Sequence, residues 1–438
     1  YIGHSVRPNR DYRAAVISII QSVGYCKKMR SHSQQVLPRI SAKLCVCNLE
    51  NIIGIIFICS CFYPMIHAMT ISWTEGDDSI LPDRPIKGRG SVSNRSGRFE
   101  GEQRARIDDG WLLEEDLGDR PRLRTQLGID AARSAITRNT SPDVPFDRSI
   151  NPYRGCEHGC VYCFARPTHA YLGLSPGLDF ESKLFWKPDA AALLTAELAR
   201  PKYRCGPIAF GTNTDPYQPV ERETFAMRGL LQVLRDCSHP FSIVTKNALI
   251  CRDLDLIAPA GQANQARVML SVTTLDRGLA NKMEPRASTP EKRLEAIRRL
   301  SDAGVPTGVL VAPIIPAVND HEIEEIVTRA AEAGATSAGH VLLRLPLEIE
   351  DLFKEWLATH MPDRAERVLS LIRQSHGGQL YRSNFGERMR GSGPYADMIA
   401  TRMKLARKKL GLDRRTLAMM DCTAFTPPQK PSAQLSLL

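Results

Sequence analysis

The chain has 438 residues, 43% hydrophobic and 24% charged, the balance of an ordinary soluble protein long enough for two or three domains and a full core. Its formal charge of +10 invites a nucleic-acid reading, but residues 1–68 carry +6 of it and the other 370 residues only +4, which excludes a strongly basic body. Of 12 cysteines, five lie in the first 68 residues, three between 156 and 163, and four are scattered, which excludes the regular, dense framework of a secreted disulfide scaffold and points to a reducing cytoplasm.

From Asn51 to Thr74 no Asp, Glu, Lys or Arg occurs, a run formally long enough to span a membrane. A signal peptide fits badly, because about fifty residues precede the run where such signals have a short basic start. Charge, cysteine content and pattern all change together at Met69. Residues 1–68 are therefore expected to be translated upstream sequence rather than a membrane anchor, and residues 69–147 an extended polar arm laid on the main domain.

From residue 148 short apolar strands alternate with helices. The pattern predicts a strand at Ser149–Tyr153, a helix at Asp189–Leu198 with Asp189 as its cap, and strand IAFGT (208–212). A helix from Glu221 to about Asp236, strand FSIVTK (241–246) and a short helix near Leu254 come next. Strand VMLSV (268–272), a helix from Pro290 to Ala303 closed by Gly304, and strand TGVLVAP (307–313) follow. A helix capped by Asn319 or Asp320 and ended by Gly334 precedes strand HVLLRLP (340–346). Alternation of this kind predicts parallel βα units with right-handed crossovers, about six in all: a partial (βα)6 TIM-type barrel over residues 148–346. Residues 347–438 predict a helical C-terminal extension ending in a disordered tail, and its basic helix face (Arg402, Lys404, Arg407, Lys408, Lys409) reads as solvated.

In such barrels chemistry sits on the loops after the strands. Those positions hold Cys156, Cys160 and Cys163 after the first strand, Thr212, Asn213, Thr214 and Asp215 after the second, Lys246 and Asn247 after the third, and Ser271, Thr273 and Thr274 at the fourth. Strand ends carry polar turn formers anyway, so the accumulation beside three cysteines is the signal. A Cys3His zinc site with His158 or His169 as fourth ligand is one reading of NPYRGCEHGCVYCFARPTHA. Zinc modules, however, usually split their ligands into two separated pairs, and no second pair is near. Three thiolates on a tight loop suit an iron–sulfur cubane, whose fourth iron then takes a non-protein ligand.

C-x3-C-x2-C after the first strand of a βα barrel, with Tyr162 just before the third cysteine, resembles the signature of the radical S-adenosylmethionine enzymes. The blocks NPYRGCEHGCVYCFARPTHAYLGLSPGLDFESK, FGTNTDPYQPVE, VTKN, LSVTTLD, MEPRASTPEKRLEAIRRLSDAG and VAPIIP resemble the spore photoproduct lyase-like branch over roughly residues 149–320, as does the arm KGRGSVSNRSGRFE.

The resemblance implies that Cys156, Cys160 and Cys163 ligate a [4Fe–4S] cluster whose open iron is chelated by S-adenosylmethionine. It implies that Lys246 and Ser271 hold the methionyl end of that cofactor, that Thr212 shares the task, and that Tyr162 lies against the adenine; Glu284 and Arg293 match family positions without an assigned role. His158 and His169 then become supporting residues. Photoproduct lyases carry a cysteine hydrogen donor just before the second-strand turn, where this sequence has Phe210, Gly211 and Thr212, so the resemblance does not carry thymine photoproduct repair over to this chain. The implied activity is reductive cleavage of S-adenosylmethionine to a 5′-deoxyadenosyl radical that takes hydrogen from a substrate, with nucleic acid, a peptide and a small metabolite all open. An electron donor such as flavodoxin or ferredoxin is implied with it. The competing reading is a non-catalytic nucleic-acid-binding module stiffened by zinc or a cluster.

Overall fold

The structure is a computed structural model and describes residues 84–102, 123–412 and 420–428. The expected upstream extension 1–68, its apolar run, the arm between 103 and 122 and the tail from 429 lie outside the described residues. No helix among the described residues is long and apolar enough to cross a membrane.

The described strands are β1 (Gln126–Ile129), β2 (Thr137–Arg138), β3 (Arg148–Ile150), β4 (Tyr153–Arg154), β5 (Lys183–Trp186), β6 (Ile208–Phe210), β7 (Phe241–Thr245), β8 (Ala266–Ser271), β9 (Thr307–Ile314) and β10 (Ser337–Leu342). Seven of them form one open sheet in the order β10-β9-β8-β7-β6-β3-β2. Every pairing from β3 through β10 is parallel, and β2 borders the edge antiparallel to β3. Six parallel strands in chain order are the expected (βα)6 partial barrel. Seven of the eight β9 residues are buried, the pattern of a strand covered on both faces. The main core joins Ile243, Val268 and Val309 from the sheet to Leu230, Ile257 and Ile297 from the covering helices.

Local chemistry explains most boundaries. Thr289 caps helix Pro290–Asp302 by accepting from Lys292 N, Pro290 sits where its missing N–H costs nothing, and Gly304 turns the chain at φ +78°. The expected first strand ends at Ile150 rather than Tyr153, because Pro152 has no N–H to continue the ladder. Tyr153 and Arg154 instead join a three-stranded sheet, β1-β5-β4. Asp189 precedes helix Ala190–Leu198 without capping it through its side chain. The expected helix 221–236 breaks at Phe225 (φ +51°) into Glu221–Thr224 and Ala226–Asp236, because the Glu221 carboxylate accepts from Met227 N at 3.1 Å and so starts a second helix. Asn319 stands at the start of the short helix Asp320–Glu322 without capping it through its side chain, which accepts from Ile315 N at 2.6 Å and donates to Thr273 O at 2.7 Å. The last strand lies at Ser337–Leu342, three residues earlier than expected, where it pairs with β9. Helix Arg277–Met283, capped by Asp276, is too short to show a period in the sequence.

In residues 84–102, Gly90 N and Ser91 N donate to the two Glu181 oxygens at 2.9 and 2.8 Å, and Arg98 pairs with Glu348 at 2.8 Å. The C-terminal helix Ile349–His360 packs Phe353 and Trp356 into the same apolar cluster as Cys160, Val161 and Tyr162. The extension therefore backs the cysteine loop.

Candidate functional site

The cysteine loop is built by two turns and one arginine. Gly155 (φ +77°) and Gly159 (φ +67°) bend the chain on either side of Cys156 into the left-handed region that favours glycine. There is no room for a side chain at either: a Cβ on Gly155 would lie 2.6 Å from the Leu184 side chain, and one on Gly159 would lie 2.7 Å from the Glu181 carboxylate. The loop carbonyls turn inward and are collected by Arg166, whose guanidinium is wholly buried. It donates to Cys160 O at 2.8 Å, Pro176 O at 3.0 Å, Gly177 O at 2.9 Å, Gly159 O at 3.1 Å and the Glu181 carboxylate at 2.5 Å. Nothing in the sequence pattern singles Arg166 out; a buried guanidinium within a Cys-rich loop looks like any surface arginine until its five acceptors are seen.

Cys156 and Cys160 are buried and Cys163 is partly open. Burial pushes the Cys156 and Cys160 thiols well above the ordinary value; Asp215 and then the other two thiols add to the effect at Cys156, Glu284 and then Cys163 add to it at Cys160, and Lys246 and Arg293 oppose it there. Three thiols within mutual electrostatic reach, costly to ionise alone and faced by a cationic side chain, fit thiolates whose charge a metal cluster neutralises. Among the described residues no three His, Cys, Asp or Glu side chains converge on a position for a single metal ion.

Neither histidine is offered as a ligand. His158 is 1% exposed, with Nδ1 3.4 Å from Asp215 and Nε2 3.2 Å from the Asn247 amide. Ser288 Oγ donates to the Asn247 oxygen at 3.0 Å, which turns the amide nitrogen toward His158 Nε2, while Nδ1 faces Asp215. Burial would raise Asp215, but His158, Thr245 and Lys246 N together hold it down to about 2. Asp215 accepts from Thr245 Oγ1 at 2.7 Å and Lys246 N at 2.8 Å, so it ties the ends of β6 and β7 to the loop. His169 bonds Lys183 O through Nε2 at 2.9 Å and stands edge-on to Phe180, and burial lowers its pKa.

The strand-end residues converge unequally. Lys246 places its ammonium 5.8 Å from the centre of the Tyr162 ring. The Tyr162 hydroxyl bonds Glu284 and lies 3.3 Å from Thr273 Oγ1, and Thr273 also donates to Glu284 at 2.6 Å. Glu284 pairs with Arg293, which reaches Ser271 O at 3.1 Å and Ser288 O at 2.7 Å. Ser271 Oγ donates to Ala312 O at 3.0 Å, which leaves it as an acceptor toward the interior. Thr212 exchanges hydrogen bonds with the Asn151 amide at 3.1 and 3.3 Å.

A parallel βα sheet whose first crossover loop carries three clustered thiols, with a lysine and a serine at neighbouring strand ends, defines a cluster-dependent enzyme. Residues 150–330 match the model of the radical SAM superfamily. An uncharacterized protein of Mycobacterium tuberculosis, Rv2578c, is 40% identical over 233 residues, which are 53% of this chain and 68% of that one. Another from Methanocaldococcus jannaschii, MJ0683, is 27% identical over 219 residues, 50% of this chain and 78% of its own. Among solved structures, a spore photoproduct lyase aligns with a TM-score of 0.48 at 16% identity, over 65% of this chain and 79% of that one. The chain belongs to the radical S-adenosylmethionine superfamily. Enzymes of this superfamily use a [4Fe–4S] cluster and S-adenosylmethionine and need an electron donor.

Proposed function

We propose that this chain is a cytoplasmic radical S-adenosylmethionine enzyme acting on nucleic acid, served by an electron donor such as flavodoxin or ferredoxin. When bound, the cluster and S-adenosylmethionine supply reductive carbon–sulfur cleavage and a radical able to abstract hydrogen. Cys156, Cys160 and Cys163 would hold the cluster. The Lys246 ammonium would pair with the cofactor's carboxylate, Ser271 would accept from its amino group, and Tyr162, fixed through its hydroxyl, would present its ring to the adenine, with Thr212 beside them.

The observation that carries the substrate class is a cleft of about 1060 Å³ that begins at Thr212 and Asn213 on the rim. Its lining includes Phe164 and Tyr171, 42% and 71% exposed, together with Arg344 and with Arg388, which is paired with Asp143 at 2.5 Å. Arg344 lies 4.3 Å over the Phe164 ring, one residue from Cys163. Asp130, in the same cleft, is already paired with Arg154 at 2.8 Å and Lys187 at 3.0 Å. Exposed aromatic faces interleaved with arginine suit unstacked bases and phosphates.

The test uses anaerobically reconstituted full chain with dithionite and S-adenosylmethionine. 5′-Deoxyadenosine should form with the natural sequence and be absent with Cys160→Ala. Single-stranded DNA or RNA should raise its yield and emerge with an altered mass. A mass change confined to peptides or small metabolites overturns the nucleic-acid assignment. No product from a cluster-loaded sample overturns the enzyme, and about one zinc per chain without labile sulfide replaces it by the metal-stiffened binding module.

A further inference from the structure

The C-terminal segment 420–428 crosses the loops that lead into β6, β7 and β8, the end of the sheet away from the cysteine loop. Asp421 N donates to Asn264 O and Thr426 N to Cys237 O, both at 2.9 Å. Phe425 packs between Tyr203, 5.6 Å away ring to ring, and His239, 5.2 Å away. These contacts lay residues 422–425 alongside 203–205. The two thiols meet there: Cys205 hydrogen-bonds Cys422, and both are half-buried.

We propose that Cys205 and Cys422 form a reversible disulfide that clasps the C-terminal segment onto the base of the barrel, with a low-molecular-weight disulfide such as oxidised glutathione as the oxidant. Burial first, and Cys422 next, push the Cys205 thiol up to about 12. Attack from either cysteine gives the same bond, and it can begin at Cys422. Its thiolate attacks one sulfur of the small disulfide and expels the other as a thiolate, leaving a mixed disulfide on Cys422. The Cys205 sulfur then displaces the remaining small thiol and gives its own proton to solvent. The two protein thiols are oxidised and one small disulfide is reduced to two thiols. No chain movement is needed to start, because Phe425 and the two backbone bonds hold the segment in place.

The experiment treats cluster-loaded full chain, kept anaerobic, with oxidised or with reduced glutathione, then blocks free thiols and digests with trypsin. Cleavage after Arg204 and Arg415 puts Cys205 and Cys422 on separate peptides. In the oxidised sample these should appear joined, at a mass two hydrogens below their sum. The joined species should vanish in Cys205→Ser and Cys422→Ser and persist in Cys251→Ser. In the natural sequence, proteolysis of the tail should be slower when oxidised and return to the reduced rate after a thiol reductant. Both cysteines recovered blocked from the oxidised sample, or Cys422 joined to a cysteine other than Cys205, overturns the clasp.

Discussion

Glu284 and Arg293 form an ion pair with side chains 0% and 1% exposed, and the loop, the end of β8 and helix Pro290–Asp302 all meet on it. Removing one partner strands the other charge, at a cost of about 3–5 kcal/mol. Arg293→Met should therefore lower the urea midpoint of the cluster-free chain sharply. The double variant Glu284→Gln with Arg293→Met should recover part of the loss, since no charge is left buried. A double variant worse than the sum of the two single ones would contradict the pairing.

Arg166 serves five acceptors with a planar fork that lysine cannot reproduce. Arg166→Lys offers three donors to five acceptors, so at least two lose their Arg166 bond, at a cost of about 1–3 kcal/mol for each one left unpaired. Because Cys160 O and Gly159 O are among those acceptors, iron and sulfide per chain after reconstitution should fall while the far-ultraviolet circular dichroism stays unchanged.

Gly90 and Gly159 face each other across the arm. A Cβ on Gly90 would lie 1.8 Å from Gly159 O, and one on Gly159 would reach the Glu181 carboxylate at 2.7 Å. Gly90→Ala should lift the arm, seen as faster proteolysis between residues 84 and 102 with the barrel intact. Gly159→Ala should instead reduce cluster loading, because φ +67° disfavours any side chain and the cysteines on either side must shift.

His239 supplies a pH test remote from the cluster. Burial holds it down to about 4 despite the Pro240 carbonyl, and the Arg148 charge adds to the effect; the Tyr203 hydroxyl, 2.7 Å from Nε2, bonds the neutral ring. An unfolded histidine titrates near ~6.5. Between these values the unfolded chain takes up a proton that the folded chain refuses. Stability is complete above about 6.5, declines as pH falls, and levels off below the folded value, with a loss on the order of 3 kcal/mol by then. Urea denaturation across that window should show a shallower decline for His239→Gln than for the natural sequence.

The six βα units were legible because each strand is a short apolar run between turn formers, and the convergence of Cys156, Cys160 and Cys163 with Lys246 and Ser271 follows from strand order alone. The three-stranded sheet was not, because β4 has two residues and β1 pairs in parallel with a strand more than fifty residues away, leaving no local period. Arg166 and the Glu284–Arg293 pair were illegible as a loop scaffold for a different reason: charged side chains reveal their partners only in three dimensions. Cys205 and Cys422 are two of the four scattered cysteines in the sequence, and only the course of segment 420–428 brings them together.

The bond between Ser91 and Glu181 sets an order of assembly. Its partners are 90 residues apart, and all three cysteines lie between them. On the ribosome the arm is made first but has no seat until Glu181 emerges, so the segment that walls the cysteine loop settles only after all three of its cysteines have been made. A nascent chain ending before Glu181 carries all three thiols of the loop and no wall.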